Sequence, residues 1–255
     1  MSLTLTPLSG IPLIRPGDDL SEIILQALDY SSIQLVDGDI LVIAQKIVSK
    51  AEGRMVNLAT VNPSPAAVKL AEQTEKDARL VEMILRESNE ILRTRPGTII
   101  VEHRRGFVCA NAGIDHSNTS DESSEPENWV LLLPLDADAS AKILRERLES
   151  ATGARLGVLI IDSHGRAWRI GTVGMAIGLS GMPGVADLRG RPDLFGYRLR
   201  ITQVGVADEL AAAASLVMGQ AAEGIPVVHA RGFPYPLREG KLDELLRPHD
   251  QDLFR

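Results

Sequence analysis

Two aspartates carry the strongest hint of chemistry. Asp115 sits in Asn111-Ala112-Gly113-Ile114-Asp115-His116-Ser117-Asn118 and Asp162 in Asp162-Ser163-His164-Gly165; both follow apolar segments and both read as members of small polar loops. Carboxylates converging from distant loops are the ligands that hard cations such as Mg2+ and Mn2+ select. Either aspartate alone is equally well a turn or helix-capping residue. Lys46, Lys50 and Arg54 recur at intervals of four, so on a helix their charges share one face and suit a triphosphate; a solvated basic stripe is the plain alternative, with Gln45 then a surface amide. Met218-Gly219-Gln220-Ala221-Ala222-Glu223-Gly224-Ile225 could wrap a nucleotide or simply cap a helix with glycine.

Several chemistries are excluded. There is no GxxxxGK[ST], so a standard P-loop is absent, and the glycine-dense run Gly171 to Gly184 lacks the strand-turn-helix setting of a dinucleotide fingerprint. The five histidines are scattered without HExxH spacing, which argues against zinc hydrolysis. Cys109 is the sole cysteine; it makes no internal disulfide and no thiolate metal cluster, leaving oxygen or imidazole as metal ligands. Trp129 and Trp168 read as core or interface anchors, with ligand stacking as the sharper alternative.

The elements that must position these groups follow from periodicity. Leu3 to Leu5 predicts a strand, and Asp18/Asp19 the entry to a helix running to Ala27. Ile40-Leu41-Val42-Ile43-Ala44 predicts a central strand after the tight turn Asp37-Gly38-Asp39, delivering Gln45, Lys46, Ser49 and Lys50 at its end. Apolar residues at helical spacing from Pro63 to Arg95 predict helices. Strands are expected at Thr98 to Glu102 and Phe107 to Ala110 around a His103 to Gly106 turn, and at Val130 to Leu133. Thr119 to Asn128 (TSDESSEPEN) has the composition of a mobile acidic surface loop. A helix over Asp138 to Thr152, a strand over Leu156 to Ile161, a strand over Leu199 to Val206, a helix over Asp208 to Met218 and a strand over Val227 to Ala230 complete the reading.

With 255 residues, the chain is long enough for one large domain or two modest ones. No signal peptide and no apolar run of membrane-spanning length is seen, so a cytoplasmic protein with no membrane partner is expected. A net charge of -7 argues against a nucleic-acid partner, while a local basic cluster can still hold one small anion.

In combination these segments are specific. DGDILVIAQKIVSKAEGR (37 to 54), NAGIDHSN (111 to 118), IIDSHGRAWRIGTVGMAIGLSGM (160 to 182), RPDLFG (191 to 196) and VADELAAAASLVMGQAAEGIPVV (206 to 228) closely resemble, in order and spacing, the coenzyme F420-0:L-glutamate ligase family, from Gly10 to Arg231. The resemblance implies a mixed α+β fold particular to the family, with two intertwined subdomains in a single ligase domain and pairing as a homodimer. Some relatives carry a further nitroreductase-like domain, which is not expected in this chain.

The resemblance also implies an activity: GTP-dependent addition of L-glutamate, and of further gamma-linked glutamates, to F420-0 through an acyl phosphate, releasing GDP and phosphate. Ile11, Pro12, Leu13, Ile14, Gln45, Lys46, Lys50, Asn118 and Met218 to Ile225 (Met218, Gly219, Gln220, Ala221, Ala222, Glu223, Gly224, Ile225) match GTP-contacting positions. Asp115 and Asp162 match one Mg2+ or Mn2+ site and Ser163 and Gln220 a second, with K+ as a further candidate; on this basis Asp115 and Asp162 are expected to hold the catalytic metals, with Lys46 or Lys50 offsetting phosphate charge. Ser163 stands where threonine is common and Gln220 where glutamate is common; the second change removes a charge but keeps an oxygen ligand. The alternatives are a metal-dependent phosphatase, an amide ligase for another acid, and a non-catalytic GTP-binding regulator.

Overall fold

The computed structural model describes residues 2–116 and 126–253. In chain order its strands and helices are β1 (Thr4–Pro7), α1 (Leu20–Tyr30), β2 (Ile40–Ala44), α2 (Gln45–Ala51), β3 (Met55–Asn57), α3 (Pro65–Thr74), α4 (Ala78–Arg86), β4 (Ser88–Arg95), β5 (Thr98–His103), β6 (Val108–Ala110), β7 (Trp129–Leu131), α5 (Ala137–Thr152), β8 (Gly157–His164), β9 (Val173–Ser180), β10 (Ala186–Asp187), β11 (Gln203–Val204), α6 (Val206–Met218) and β12 (Val227–Arg231). The fold is mixed α+β. The expected acidic loop falls mostly on residues outside those described.

A five-stranded sheet in the order β1-β12-β2-β8-β9 forms the frame. Its strands β2 and β8 are parallel, with Ile40 opposite Gly157 and Ala44 opposite Ile161; the other pairs are antiparallel. Both faces are covered, which explains why β2 is apolar at every position rather than alternating. On one face Leu41, Ile43, Val158 and Ile160 pack with Ile24 and Leu28 of α1 and Leu144 and Leu148 of α5. On the other, Ile40, Val42, Leu159 and Ile161 meet Leu210, Ala214 and Met218 of α6. Asp19 starts α1 by accepting hydrogen bonds from the amides of Ser21 and Glu22, and Asp136 starts α5 by accepting from Ala139.

A second core gathers Leu70, Val81, Ile84, Ile99, Val101 and Cys109 from α3, α4, β5 and β6. The small β3–β7 sheet lies between this layer and the frame, and Asp115 pairs with Leu131 through reciprocal backbone hydrogen bonds of 3.0 and 2.9 Å.

Glycine has a defined task on β9. An ideal Cβ on Gly174 would lie 2.6 Å from the Ser215 Cβ of α6, and one on Gly178 would overlap Ala137 of α5, so both helices approach the strand only because it lacks side chains there. A bulge on β9 sets this phase: Ile160 pairs with Gly178 but Ile161 with Ala176, and Ser163 consequently stands opposite Gly174.

Three expectations need correction. The helical reading from Pro63 to Arg95 holds only to Arg86; Ser88–Arg95 is a strand hydrogen-bonded to β5, with Gly97 closing the hairpin at positive φ. The strand expected to end at Ile161 runs on to His164, so Asp162 is a strand residue held by the β9 ladder and not a loop residue. The strand over Leu199 to Val206 shrinks to Gln203–Val204, because it pairs only with the two residues of β10.

Candidate active site

The parallel strands β2 and β8 end side by side, the crevice position at which open α/β sheets place ligands. At that end lies a cavity of about 1410 Å³, bordered by Ile11 to Pro16, the start of α2, Asp115, Asp162, Ser163 and the stretch from Met218 to Pro226. Every nucleotide- or metal-contacting residue expected from the sequence lines this cavity, apart from Asn118, which is outside the described residues.

Asp115 enters from the β3–β7 side. Its Oδ2 accepts a 2.8 Å hydrogen bond from Gln45 Nε2 and lies 3.2 Å from Lys46 Nζ. Gln45 is fully buried, and its other amide atom, Oε1, accepts from Ser49 Oγ at 2.8 Å, so the donor end is committed to Asp115. The surface reading of Gln45 is therefore wrong. Lys46 and Lys50, one turn apart on α2, both border the cavity. Arg54 does not join them: α2 stops at Ala51, and the Arg54 guanidinium turns away to Glu87 (2.8 Å) and the Leu133 carbonyl (2.9 Å).

Asp162 enters from the sheet, with only 11% of its side chain exposed. Alternation along β8 sends Asp162 and His164 to one face and Ser163 to the other. Ser163 Oγ donates to Gln220 Oε1 at 2.8 Å, while Gln220 Nε2 donates to Ser215 Oγ at 3.0 Å. Ser215 thus occupies the nitrogen of the amide and leaves its oxygen beside Ser163.

The electrostatics are unbalanced. Burial, and then the charge of Asp162, push the Asp115 carboxyl above its ordinary range, against the opposing pull of Lys46 and Gln45. The same Asp162 charge, after burial, helps push the Cys109 thiol up to about 12, which makes that cysteine inert. Two partly buried carboxylates thus face one another across the cavity, with Lys46 against one of them. Among the described residues no three His, Cys, Asp or Glu side chains cluster as a metal cage. What the site offers is two carboxylates, a hydroxyl and an amide oxygen, an open all-oxygen set that fits a hard divalent cation completing its shell with water and ligand oxygens.

A family model, F420-0:Gamma-glutamyl ligase, matches residues 10–232. The chain belongs to that family. It is 49% identical to the coenzyme F420:L-glutamate ligase of Methanothermobacter thermautotrophicus over 257 residues, 100% of both chains. It is also 49% identical to the protein of that name from Methanopyrus kandleri over 246 residues, 95% of this chain and 93% of the relative. The Archaeoglobus fulgidus counterpart is 43% identical over 255 residues, 100% of this chain and 97% of the relative.

Reading the sequence missed some residues that line the cavity. Arg15, Met55, Asn57, Thr172 and Ser215 also line the cavity, and Trp129, a half-buried residue of β7, borders it too. The signal for Arg15 was available, since it directly follows Ile11 to Ile14. No sequence signal links Ser215 to Gln220, which meet across a helix end.

Proposed function

We propose that the chain adds L-glutamate to F420-0 at the expense of GTP, using divalent cations, in the cytoplasm. The observation that carries this reading is the convergence of Asp115, Asp162 and Lys46 on one large cavity in a chain of this family. At about 1410 Å³ the cavity exceeds what a single small ligand needs, which suits a nucleotide together with an acceptor.

Amide formation from a carboxylate is uphill in water, so the acid is activated first. A carboxylate oxygen of F420-0 attacks the γ-phosphorus of GTP, the bond to the β-phosphate oxygen breaks, and GDP leaves. The glutamate amine then attacks the acyl carbon, phosphate departs, and the amine's surplus proton passes to solvent. Such chemistry asks mainly for positioning and charge neutralisation, which is why no nucleophilic serine or cysteine is required. Divalent cations held by Asp115 and Asp162, with Ser163 and Gln220 offering oxygens for a second, would supply neutralisation of the phosphate oxygens. Lys46 adds fixed positive charge at the Asp115 end, and Gln45 holds the Asp115 carboxylate in one orientation. Gln220 contributes no charge, so a second cation would be held there more weakly than by a glutamate.

Pairing of two copies completes the reading. Between β10 and β11 the chain projects Leu194, Phe195 and Ile201 with 98, 96 and 87% exposure, apolar surface of the kind that a second copy covers.

The test is mass spectrometry of the purified protein with F420-0, L-glutamate, GTP and Mg2+ or Mn2+. The expected product is heavier than F420-0 by one glutamyl unit. GTP hydrolysis without that product turns the reading toward a phosphatase, and GTP binding without metal-dependent turnover turns it toward a regulator.

A further inference from the structure

The imidazole of His164 lies directly behind Asp162. It is 5% exposed, and its Nε2 has no aligned hydrogen-bond partner but stands 3.0 Å from Asp162 Oδ2. Two residues apart on β8, both side chains share one face of the sheet. The ring is held from the far side. Phe107, in the turn just before β6, lies with its centroid 5.4 Å from that of His164 and stacks on His103 at 4.8 Å. His103 is itself fixed, its Nδ1 accepting from the Arg105 amide at 3.1 Å and its backbone amide donating to the Phe107 carbonyl at 2.8 Å. The β5–β6 hairpin therefore braces an imidazole against the carboxylate on the wall of the cavity.

From this arrangement we infer that His164 is a positioning residue that fixes the Asp162 carboxylate for cation binding, with Phe107 locking the imidazole in place. The inference rests on the reading of Asp162 as a cation ligand. A buried ring nitrogen needs a partner, and the carboxylate is within reach. The terminal torsion of aspartate is soft, so a small rotation aligns Oδ2 with Nε2 and presents Oδ1 to the cavity. Holding one oxygen also suppresses the alternative in which both oxygens swing freely, and a ligand oriented from behind binds metal more tightly than one left to rotate. His164 touches neither substrate nor reacting atoms in this scheme; it acts through Asp162.

Mn2+ affinity of the nucleotide-free protein, measured by electron paramagnetic resonance of the unbound ion, tests this without recourse to turnover. Asp162→Asn is expected to lose binding at the Asp115/Asp162 site. His164→Phe, which keeps a ring against Phe107, should weaken Mn2+ binding about tenfold to a hundredfold. His164→Gln, which returns an N–H near the position of Nε2, should recover part of that loss. In turnover the His164→Phe defect should fade at high Mn2+, with the KM for GTP near its original value. Wild-type Mn2+ affinity in folded His164→Phe overturns the inference. Should that variant fail to fold, Phe107→Leu takes its place: weaker Mn2+ binding supports the brace, and unchanged binding overturns it. If Asp162→Asn binds Mn2+ as the parent does, the cation-ligand reading itself falls; if only the His164 and Phe107 variants are silent, the positioning role alone does.

Discussion

Strand β2 has a buried carboxylate at one end and points toward a partly buried one beyond the other, and the two are treated in opposite ways. Before the strand, Asp39 is 1% exposed yet fully matched by its own chain: Arg231 donates to both oxygens at 2.9 and 2.6 Å, the Val36 amide donates at 3.0 Å, and His229 Nε2 stands 2.9 Å away. Burial alone would raise its pKa, but Arg231, Val36 and His229 hold it below the ordinary value. Beyond the strand, Asp115 has Gln45 and Lys46 but faces Asp162, and its carboxyl is pushed up. A carboxylate that its own chain holds below the ordinary pKa is architecture; one raised above it by burial and a like charge marks a candidate site.

The sharpest way to break this contrast is to neutralise the site end. Asp115→Asn and Asp162→Asn should each lower ligase turnover by roughly 10³-fold, the scale of losing one preorganised electrostatic contact, with the circular dichroism of the parent retained. Turnover close to that of the parent would place the cation elsewhere. At the opposite end, Asp39→Ala should cost about 3 kcal/mol in urea unfolding, because His229 and Arg231 lose their counter-charge, while turnover per folded molecule stays unchanged. Loss of turnover without loss of stability would erase the distinction between the two ends.

Smaller effects sharpen it. Lys46→Ala should raise the KM for GTP about tenfold, the worth of one charge-assisted hydrogen bond, with a lesser change in kcat. The smallest effect is a pH dependence in the metal-free protein. Because folding raises the Asp115 pKa, the folded state holds its proton longer than the unfolded chain does, and stability falls as pH climbs from the ordinary carboxylate value through the raised one. Asp115→Asn should therefore melt higher than the parent at neutral pH, the gain vanishing below the ordinary carboxylate pKa; a differential scan at both pH values checks the sign. Asp39 behaves in the reverse sense, its contribution present above the ordinary value and lost as pH falls through its lowered one.

Much of this was legible in the residues. Ile40 to Ala44 announces a strand covered on both faces, and the His103 to Gly106 turn shows in its composition. Asp115 and the lysines of α2, singled out by their setting and spacing, border one cavity. What was hidden depends on distant partners. Ser88–Arg95 carries Ile91 and Leu92 at a spacing that continues the helical pattern of α4, and only pairing with β5 makes it a strand. Arg54 looks like the third member of a basic stripe until Glu87, far along the chain, claims it. Asp162 reads as a loop residue because hydropathy drops there, although the β9 ladder carries the strand two residues further.

The bulge on β9 has a consequence for sequence change. In a regular ladder through the same residues Ser163 would face Met175, whose side chain would force α6 outward and separate Ser215 and Gln220 from the serine. Inserting one residue between Gly174 and Ala176 thus amounts to a change of phase, costly to function out of proportion to one added residue, whereas deleting Ile177 removes the bulge and keeps Ser163 opposite Gly174; single-residue insertions should be tolerated at the tip between β10 and β11 long before they are tolerated here.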